Sequence, residues 1–339
     1  MNSNQGYIRF TKLILLFVFL VVLAGGIVRT TQSGMGCPDW PTCFGNIIPP
    51  TAYNQVVFHP RHAYAKGQFI IYNDSLKYAK QKFVTGDGYN SADWQQYEKH
   101  NYAKFEVYQT WIEYINRLCT GVLGFLLIIH LVWSFAKFNK TNKSIPWLSA
   151  GLILLVAFEA WLGKVVVDTN LGLLQISAHF LPVLALAAIP TIIIHKLSGV
   201  ATVQSNALKW LLLLAIVVTL AQIIVGTGIR AQIDTIAKGL GYQQRQLWTA
   251  KLDSIFNIHK IIGIALAALC SLVFWQCLSH PALHKTAVAL ILTVLLSVAS
   301  GLVMAGLNMP AFVQPLHLLL SSILFILLFN LRLKVARQR

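Results

Sequence analysis

The sequence predicts an all-α integral membrane protein: eight transmembrane helices in two repeated four-helix bundles, with a long external loop after the first helix. Of its 339 residues, 56% are hydrophobic and only 11% are charged, whereas a soluble domain carries about 25% charged residues. Apolar stretches recur at close to the roughly 20 residues that a helix needs to cross a bilayer. The two halves of the chain also share a pattern of glycine and polar positions.

Eight apolar stretches predict the helices in chain order. Each has the length and hydropathy of one crossing. They cover residues 13–28, 118–136, 147–167, 174–194, 210–229, 258–278, 286–306 and 313–331. The first stretch also has features of a cleaved signal peptide, because Arg9 and Lys12 precede its apolar core. The internal repeat described below favours its retention as a helix.

The basic residues predict the topology and do not predict nucleic-acid binding. The net charge is +16, but lysines and arginines lie beside the apolar stretches, mainly after predicted helices 2, 4, 6 and 8. The short loops 168–173 and 307–312 contain none. The positive-inside rule therefore predicts that both termini lie in the cytoplasm. We expect a multi-pass protein of the cytoplasmic (inner) membrane. With this topology, the loop at about 30–110 is predicted to be an external subdomain.

Two of the five cysteines lie in this loop, in the segment "GMGCPDWPTCFG". Oxidising conditions outside the cytoplasm permit a disulfide between Cys37 and Cys43, with free thiols as the alternative. The neighbouring prolines and glycines make a close approach of the two residues feasible. Such a bond can be structural or redox-active. The other three cysteines fall within helices, where cysteine is usually a small apolar residue.

An internal repeat relates the two halves of the chain. Gly25 and Arg29 at the end of helix 1 match Gly226 and Arg230 at the end of helix 5. A cleaved signal peptide has no reason to match an internal helix. The repeat divides the chain into an N-terminal half, residues 1–200, and a C-terminal half, residues 201–339.

The same repeat aligns polar residues on the later helices. Asn116 on helix 2 matches His259 on helix 6. Gly163 and Gly301 are each followed sixteen residues later by a histidine. The aligned residues lie on helices 2, 4, 6 and 8 at a similar depth toward the outer face. We call them the four pocket positions: Asn116, His179, His259 and His317.

Histidines at this depth predict a function, because ionisable groups within a membrane are costly. Proton relay, haem ligation, binding of another metal and interhelical hydrogen bonding are all open. Zinc-type sites usually recruit more cysteine or acidic ligands than these helices supply. One histidine from each of two facing helices suits axial ligation of a haem. The other seven histidines, including His130 in helix 2, are expected to be solvated or interfacial.

The two halves differ at the pocket positions. His259 and His317 can supply both axial ligands of one haem, which would carry electrons and bind no substrate. His179 faces Asn116, a poor iron ligand, so a haem in the first half would have an open or weakly occupied position. This difference predicts a redox relay in the C-terminal half and a reaction site in the N-terminal half.

An acidic residue strengthens this difference. Glu113 lies three residues before Asn116, on the same helical face, whereas the second half has Phe256 at the matching position. Glu113 can act as a general acid or base, or stabilise charge. The alternative is an interfacial ion pair with Arg117 or Lys104.

The repeated arginines have two possible roles. Arg29 and Arg230 can bind carboxylates such as haem propionates through charge-assisted hydrogen bonds. They can equally anchor the helix ends at the interface.

Taken together, these residues resemble the haem A synthase family, which converts haem O to haem A for cytochrome oxidase. The resemblance covers nearly the whole chain. It rests on the segment "GGIVRTTQSGMGCPDWP", a Glu-x-x-His-Arg-like motif at the start of helix 2, the duplicated bundle, and histidines on helices 4, 6 and 8.

The resemblance implies an oxidoreductase that oxidises a methyl group of haem O to a formyl group, by successive O2-dependent hydroxylations and loss of water. It implies that His259 and His317 bind the iron of a haem b cofactor and that His179 binds the substrate haem iron. From the repeat positions we further predict Arg230 as a contact of haem b, and Asn116, Arg29 and Arg117 as contacts of the substrate haem. Glu113 corresponds to the functional acid, and Cys37 and Cys43 to an external redox pair.

The resemblance also implies partners: a haem O synthase, an electron donor and the lipid bilayer, with homo-oligomerisation left open. The sequence departs from the family at two points. Asn116 stands where the family usually has a histidine, and the loop 230–256 has no cysteine pair. The rival interpretation is a non-catalytic diheme cytochrome b that carries electrons between quinol and an external partner. A transporter is disfavoured, because the halves carry no matching Gly/Pro-broken helix pair.

Overall fold

The computed structural model describes residues 4–98, 104–168, 179–199 and 202–336, without the side chains of 166–168. In this part of the chain, eight helices are long and apolar enough to cross a membrane. This agrees with the predicted all-α membrane protein. The helices are α1 (Gln5–Thr30), α2 (Val107–Phe138), α3 (Ser144–Asp168), α4 (Leu181–Ser198), α5 (Asn206–Gly239), α6 (Ile255–Cys277), α7 (His284–Gly306) and α8 (Val313–Leu333).

Two helices extend ten or more residues beyond one end of their predicted apolar stretches, and α1 begins at Gln5 rather than at 13. Helix α2 begins at Val107 rather than at 118, and α5 continues to Gly239 rather than ending at 229. Hydropathy detects only the apolar part of a helix, and the added segments carry charged residues that bond to neighbouring elements. The predicted start of helix 4 and the loop 168–173 fall largely on residues 169–178, outside the described residues.

The helices form two rings of four. In the first ring α1 packs on α2, α2 on α3, α3 on α4, and α4 on α1. In the second ring α5, α6, α7 and α8 pack in the same cyclic order. Helices α1 and α4 also pack against α8, so α8 joins the rings. The apolar core of the first ring accordingly includes Phe325 and Ile326 of α8.

The described residues between α1 and α2, 31–98 and 104–106, form a small subdomain, as predicted, but its β strands were not predicted. Strands β2 (Phe69–Tyr72), β3 (Ser75–Ala79) and β5 (Trp94–Gln96) form an antiparallel sheet in the order β2, β3, β5. The β2–β3 turn uses Asn73 and Asp74, both with positive φ, as tight hairpins require. Strands β1 (Ala63–Tyr64) and β4 (Phe83–Val84) form a second pair.

The rings are also joined at the end opposite the β subdomain. Strand β6 (Val203–Gln204), between α4 and α5, pairs in parallel with β7 (Val335–Ala336), which follows α8. The side chain of Ser205 then caps α5 by accepting a hydrogen bond from the backbone of Leu208 at 3.2 Å. The link between the halves is therefore fixed to the end of the last helix.

Candidate functional site

Each of the four pocket positions faces a glycine on a neighbouring helix. A Cβ placed on each glycine would contact the facing side chain, and only on Gly226 would that contact be closer than an ordinary van der Waals distance. The distances from such a Cβ are 3.9 Å from Gly25 to Asn116 Oδ1, 4.0 Å from Gly163 to His179 Cε1, 3.1 Å from Gly226 to His259 Cε1, and 3.6 Å from Gly301 to His317 Cε1. The aligned glycines and polar residues thus meet in space in both halves.

The two histidines of the second ring face each other. The ring centroids of His259 and His317 are 6.5 Å apart and their planes are inclined by 61°. An imidazole nitrogen binds a metal at about 2 Å, so two imidazoles that share one metal from opposite sides have centroids roughly 6 Å apart. The observed separation fits a metal held between the rings.

Neutral side chains orient both of these rings. Ser300 Oγ lies 2.8 Å from Nδ1 of His317. The amide nitrogen of Gln222 donates to the backbone oxygen of His259 at 3.0 Å and lies 3.3 Å from its Nε2. Nδ1 of His259 is buried and has no hydrogen-bond partner among the described residues.

In the first ring, an acidic residue that was not predicted lies beside the histidine. Oε2 of Glu159, on α3, lies 2.6 Å from Nδ1 of His179. The two atoms are not aligned as a hydrogen bond, so the interaction is a close electrostatic contact. Glu159 is 5% exposed. Its signal in the sequence was a single acid within an apolar helix, which is usually functional.

Glu113 is buried, and both of its carboxylate oxygens are bound. Oε1 accepts a hydrogen bond from Nη2 of Arg117 at 2.5 Å, and Oε2 accepts one from the backbone N–H of Cys37 at 2.9 Å. The pairing with Arg117, given above as the alternative role, is therefore present. Lys104 instead pairs with Glu106 at 3.3 Å.

The predicted bond between Cys37 and Cys43 is present, with a Cα–Cα distance of 4.8 Å. Arg117 fastens the disulfide loop to α2, because its Nη1 donates to the backbone oxygens of Asp39 at 2.6 Å and Thr42 at 2.8 Å. A Cβ on Gly36 would lie 2.6 Å from the backbone of α2, so only glycine permits this contact. A residue of the disulfide, Cys37, thus donates a hydrogen bond directly to Glu113.

The repeated arginines meet at one carboxylate. Asp234, on the extended part of α5, lies 2.8 Å from Nη2 of Arg29 and 2.8 Å from Nη2 of Arg230. Arg230 also donates to Gln314 on α8. Partial burial, and secondly the charge of Asp234, raises the pKa of Tyr242, which follows α5. The apolar stretch 210–229 ends before Asp234, so hydropathy gives no sign that this residue lies on the helix.

One histidine prediction is wrong. His130 was expected to be solvated or interfacial, but it is completely buried. Its ring nitrogens lie 3.3 Å from the hydroxyl of Tyr7 and 3.1 Å from that of Thr11, both on α1. These neutral partners satisfy the ring, so burial is tolerated. His100 lies outside the described residues.

The fold and these sites define a multi-pass membrane protein with unlike polar centres in two repeated helix rings. A sequence model of the COX15-CtaA family, described as cytochrome oxidase assembly protein, matches residues 8–86 and 87–329. The chain belongs to this family, which confirms the resemblance seen in the sequence.

Several relatives bear the name haem A synthase. The protein from Alkalihalophilus pseudofirmus is 23% identical over 94% of both chains. The one from Rickettsia prowazekii is 22% identical over 91% of this chain and 92% of its own. The protein from Shewanella oneidensis is 26% identical over 50% of this chain, a match that spans 39% of that relative. The prediction that the chain is an enzyme is confirmed by these relatives.

Proposed function

We propose that the protein is a haem A synthase, which oxidises a methyl group of haem O to the formyl group of haem A. The observation that carries this proposal is the difference between the two rings. The second presents two facing histidines with neutral partners, whereas the first presents one histidine, an asparagine and two buried acids. A relay site and a reaction site need such different surroundings, because a site that reacts with O2 must leave room at its iron.

In the second ring, His259 and His317 are the residues that would hold the iron of haem b. Their separation fits two axial imidazoles, and Ser300 fixes one ring by its Nδ1, which leaves Nε2 for the metal. Bound there, haem b supplies one-electron transfer to the reaction in the first ring.

In the first ring, His179 binds the iron of the substrate, haem O, and Asn116 lies on the opposite helix of the site. An amide side chain is a weak ligand for iron, so this side stays open or is held by water. Conversion of the methyl group to a formyl group proceeds by two O2-dependent hydroxylations of the same carbon, followed by loss of water. Each hydroxylation consumes two electrons and two protons, and one oxygen atom of each O2 leaves as water.

Proton supply is the role that we propose for Glu113. It is a buried carboxylate on the helix face of Asn116, and Arg117 and the Cys37 N–H hold both of its oxygens. Positioned carboxylates of this kind move protons to or from reacting groups. Arg117 would then orient the acid and contact the substrate haem, and the Cys37–Cys43 disulfide would set the position of the Cys37 N–H.

The carboxylates of the haems need cationic partners. Arg29 and Arg230 together carry two positive charges against the single charge of Asp234, and Nε of Arg230 is buried without a hydrogen-bond partner among the described residues. A net positive, incompletely satisfied cluster of this kind suits haem propionates. We assign Arg29 to the substrate haem and Arg230 to haem b.

The proposed setting is the cytoplasmic (inner) membrane, with both termini in the cytoplasm and the β subdomain outside. The positive-inside distribution of lysine and arginine supports this orientation. A haem O synthase would supply the substrate and a separate electron donor would reduce haem b. Homo-oligomerisation is compatible with this arrangement and is not required by it.

The competing function is a diheme cytochrome b that only carries electrons, which the histidines alone would also support. Expression of the protein in cells that make haem O, followed by haem extraction and mass analysis, separates the two. A haem A synthase accumulates the formyl product. Two bound haems without any formyl product would overturn the proposal in favour of the electron carrier.

A further inference from the structure

The strongest unexplained feature of the first ring is the contact between Glu159 and His179. Glu159 is a nearly fully buried acid on α3, and its Oε2 lies 2.6 Å from Nδ1 of His179. Neither carboxylate oxygen has a hydrogen-bond partner within the described part of the chain. A buried carboxylate is costly unless a neighbour balances its charge.

The second ring has a neutral group in the corresponding place. Glu159 lies four residues before Gly163, and the matching position four residues before Gly301 is Ser297. The Nδ1 of His317 is contacted by the hydroxyl of Ser300 at 2.8 Å. A carboxyl group thus lies beside Nδ1 of His179, whereas a neutral hydroxyl, from a position that the repeat does not match to Glu159, lies beside Nδ1 of His317.

We propose that Glu159 is a positioning residue that makes His179 a strongly electron-donating ligand to the haem of the first ring. A metal at Nε2 of an imidazole requires the proton to be on Nδ1, and a carboxylate at Nδ1 accepts that proton in a hydrogen bond. Formed from the 2.6 Å contact when Nδ1 carries the proton, this bond would fix the tautomer and the ring orientation and raise the basicity of the ligand. This inference rests on the proposed function only in placing a haem at His179.

The charge has a measurable consequence for the iron. A more basic axial ligand stabilises ferric over ferrous iron, so hydrogen bonding to the ligand is one of the means by which a protein sets a haem potential. Glu159 should therefore hold the midpoint potential of the first-ring haem below the value that a neutral partner would give. His317, with its serine partner, has no such charge behind it.

The test is a redox titration of the purified, haem-loaded protein and its variants, with each haem followed by its own absorbance. Glu159→Gln keeps the size of the side chain and removes its charge, whereas Glu159→Asp keeps the charge. Ser300→Ala is the matched control in the second ring. The iron–histidine stretching frequency of the ferrous first-ring haem, from resonance Raman spectra, provides a second readout.

We expect Glu159→Gln to raise the midpoint potential of one haem only and to lower its iron–histidine frequency. Glu159→Asp should remain close to the wild type, and Ser300→Ala should affect only the other haem. Loss of the first-ring haem from Glu159→Gln with its retention in Glu159→Asp would also support the proposal, because charge alone separates the two variants. Unchanged potentials in Glu159→Gln, or equal effects of both Glu159 substitutions, would overturn it.

These outcomes are independent of turnover. Absence of haem A from the wild-type protein would refute the proposed function, whereas the shift of one haem potential in Glu159→Gln would still support the role of Glu159. Formation of haem A together with unchanged potentials would do the reverse.

Discussion

The two helix rings have the same arrangement but different chemistry at matching positions. In the first ring Arg117 forms an ion pair with Glu113. In the second, Lys260 takes the place of the arginine and its Nζ lies 4.7 Å from the ring centroid of Phe256, a cation–π contact. Both rings therefore have a contact between these two positions, but only the first ring has an acid there. A duplicated scaffold thus shows which groups are additions to one site and which belong to the common fold.

The segments that connect the first two helices of each ring also differ. The first ring carries the β subdomain, and its disulfide loop donates the Cys37 N–H to Glu113. The connection between α5 and α6 is shorter, contains one helical turn at Gln246–Ala250 and has no cysteine. The additional structure is therefore on the same ring as the additional acid, which supports its assignment as the reaction site.

The largest effect is expected from the removal of a proposed haem ligand in the second ring. We expect His317→Ala to lose the low-spin haem and to reduce turnover by more than the about 10- to 100-fold typical of losing a second-shell partner. His284→Ala, at the opposite end of the bundle, is the control. Optical spectra and haem A formation measure both effects. Retention of two haems with normal turnover would contradict the assignment of His317.

The next largest effect is expected from Glu113→Gln. If Glu113 moves protons, conversion of haem O should fall by about 100-fold or more, while the second-ring haem remains bound. Glu106→Gln, which removes the partner of Lys104 near the surface, should leave conversion unchanged. Haem content and product formation are measured on the same samples. Loss of both haems from Glu113→Gln would make Glu113 a structural residue instead.

A third substitution makes the rings alike. Asn116→His places an imidazole opposite His179, beside Gly25 as His259 lies beside Gly226. We expect the first-ring haem to become six-coordinate and low-spin. Electron paramagnetic resonance of the ferric protein should then show loss of the high-spin signal. A persistent high-spin signal in a protein that retains both haems would show that the two sites are not equivalent in geometry.

The smallest effect concerns the glycines behind the pocket positions. A Cβ on Gly226 would lie 3.1 Å from His259, whereas a Cβ on Gly25 would lie at an ordinary 3.9 Å from Asn116. Overpacking of this kind costs about 1–3 kcal/mol, so Gly226→Ala should lower the temperature at which the low-spin haem spectrum is lost. Gly25→Ala is the matched control and should have little effect. Equal sensitivity of both variants would count against the tighter packing of the second ring.

Much of the fold could be predicted from hydropathy and from the internal repeat. Apolar length predicted eight helices, and the histidines on helices 6 and 8 were predicted to face each other, as His259 and His317 do. Hydropathy did not predict the true ends of α2 and α5, because their polar segments are held by side-chain bonds across the fold. Arg117 binds the disulfide loop, and Asp234 joins two arginines that are far apart in sequence.

The site was predicted less completely than the fold. The repeat marks the four pocket positions, and Glu113 lies one helical turn from one of them, whereas Glu159 lies on α3, which carries none of the four. Its proximity to His179 depends on how α3 packs beside α4, which spacing alone does not give. The burial of His130 was missed for the same reason, because its hydroxyl partners come from α1.

The central claim is that the two rings hold haem in unlike states, and the haem content and iron spin state of the purified wild-type protein test it most directly. The account predicts two haems per chain: one low-spin with two histidine ligands, the other high-spin and five-coordinate through His179 or with water opposite it. Two low-spin haems, each with two histidine ligands, would contradict it.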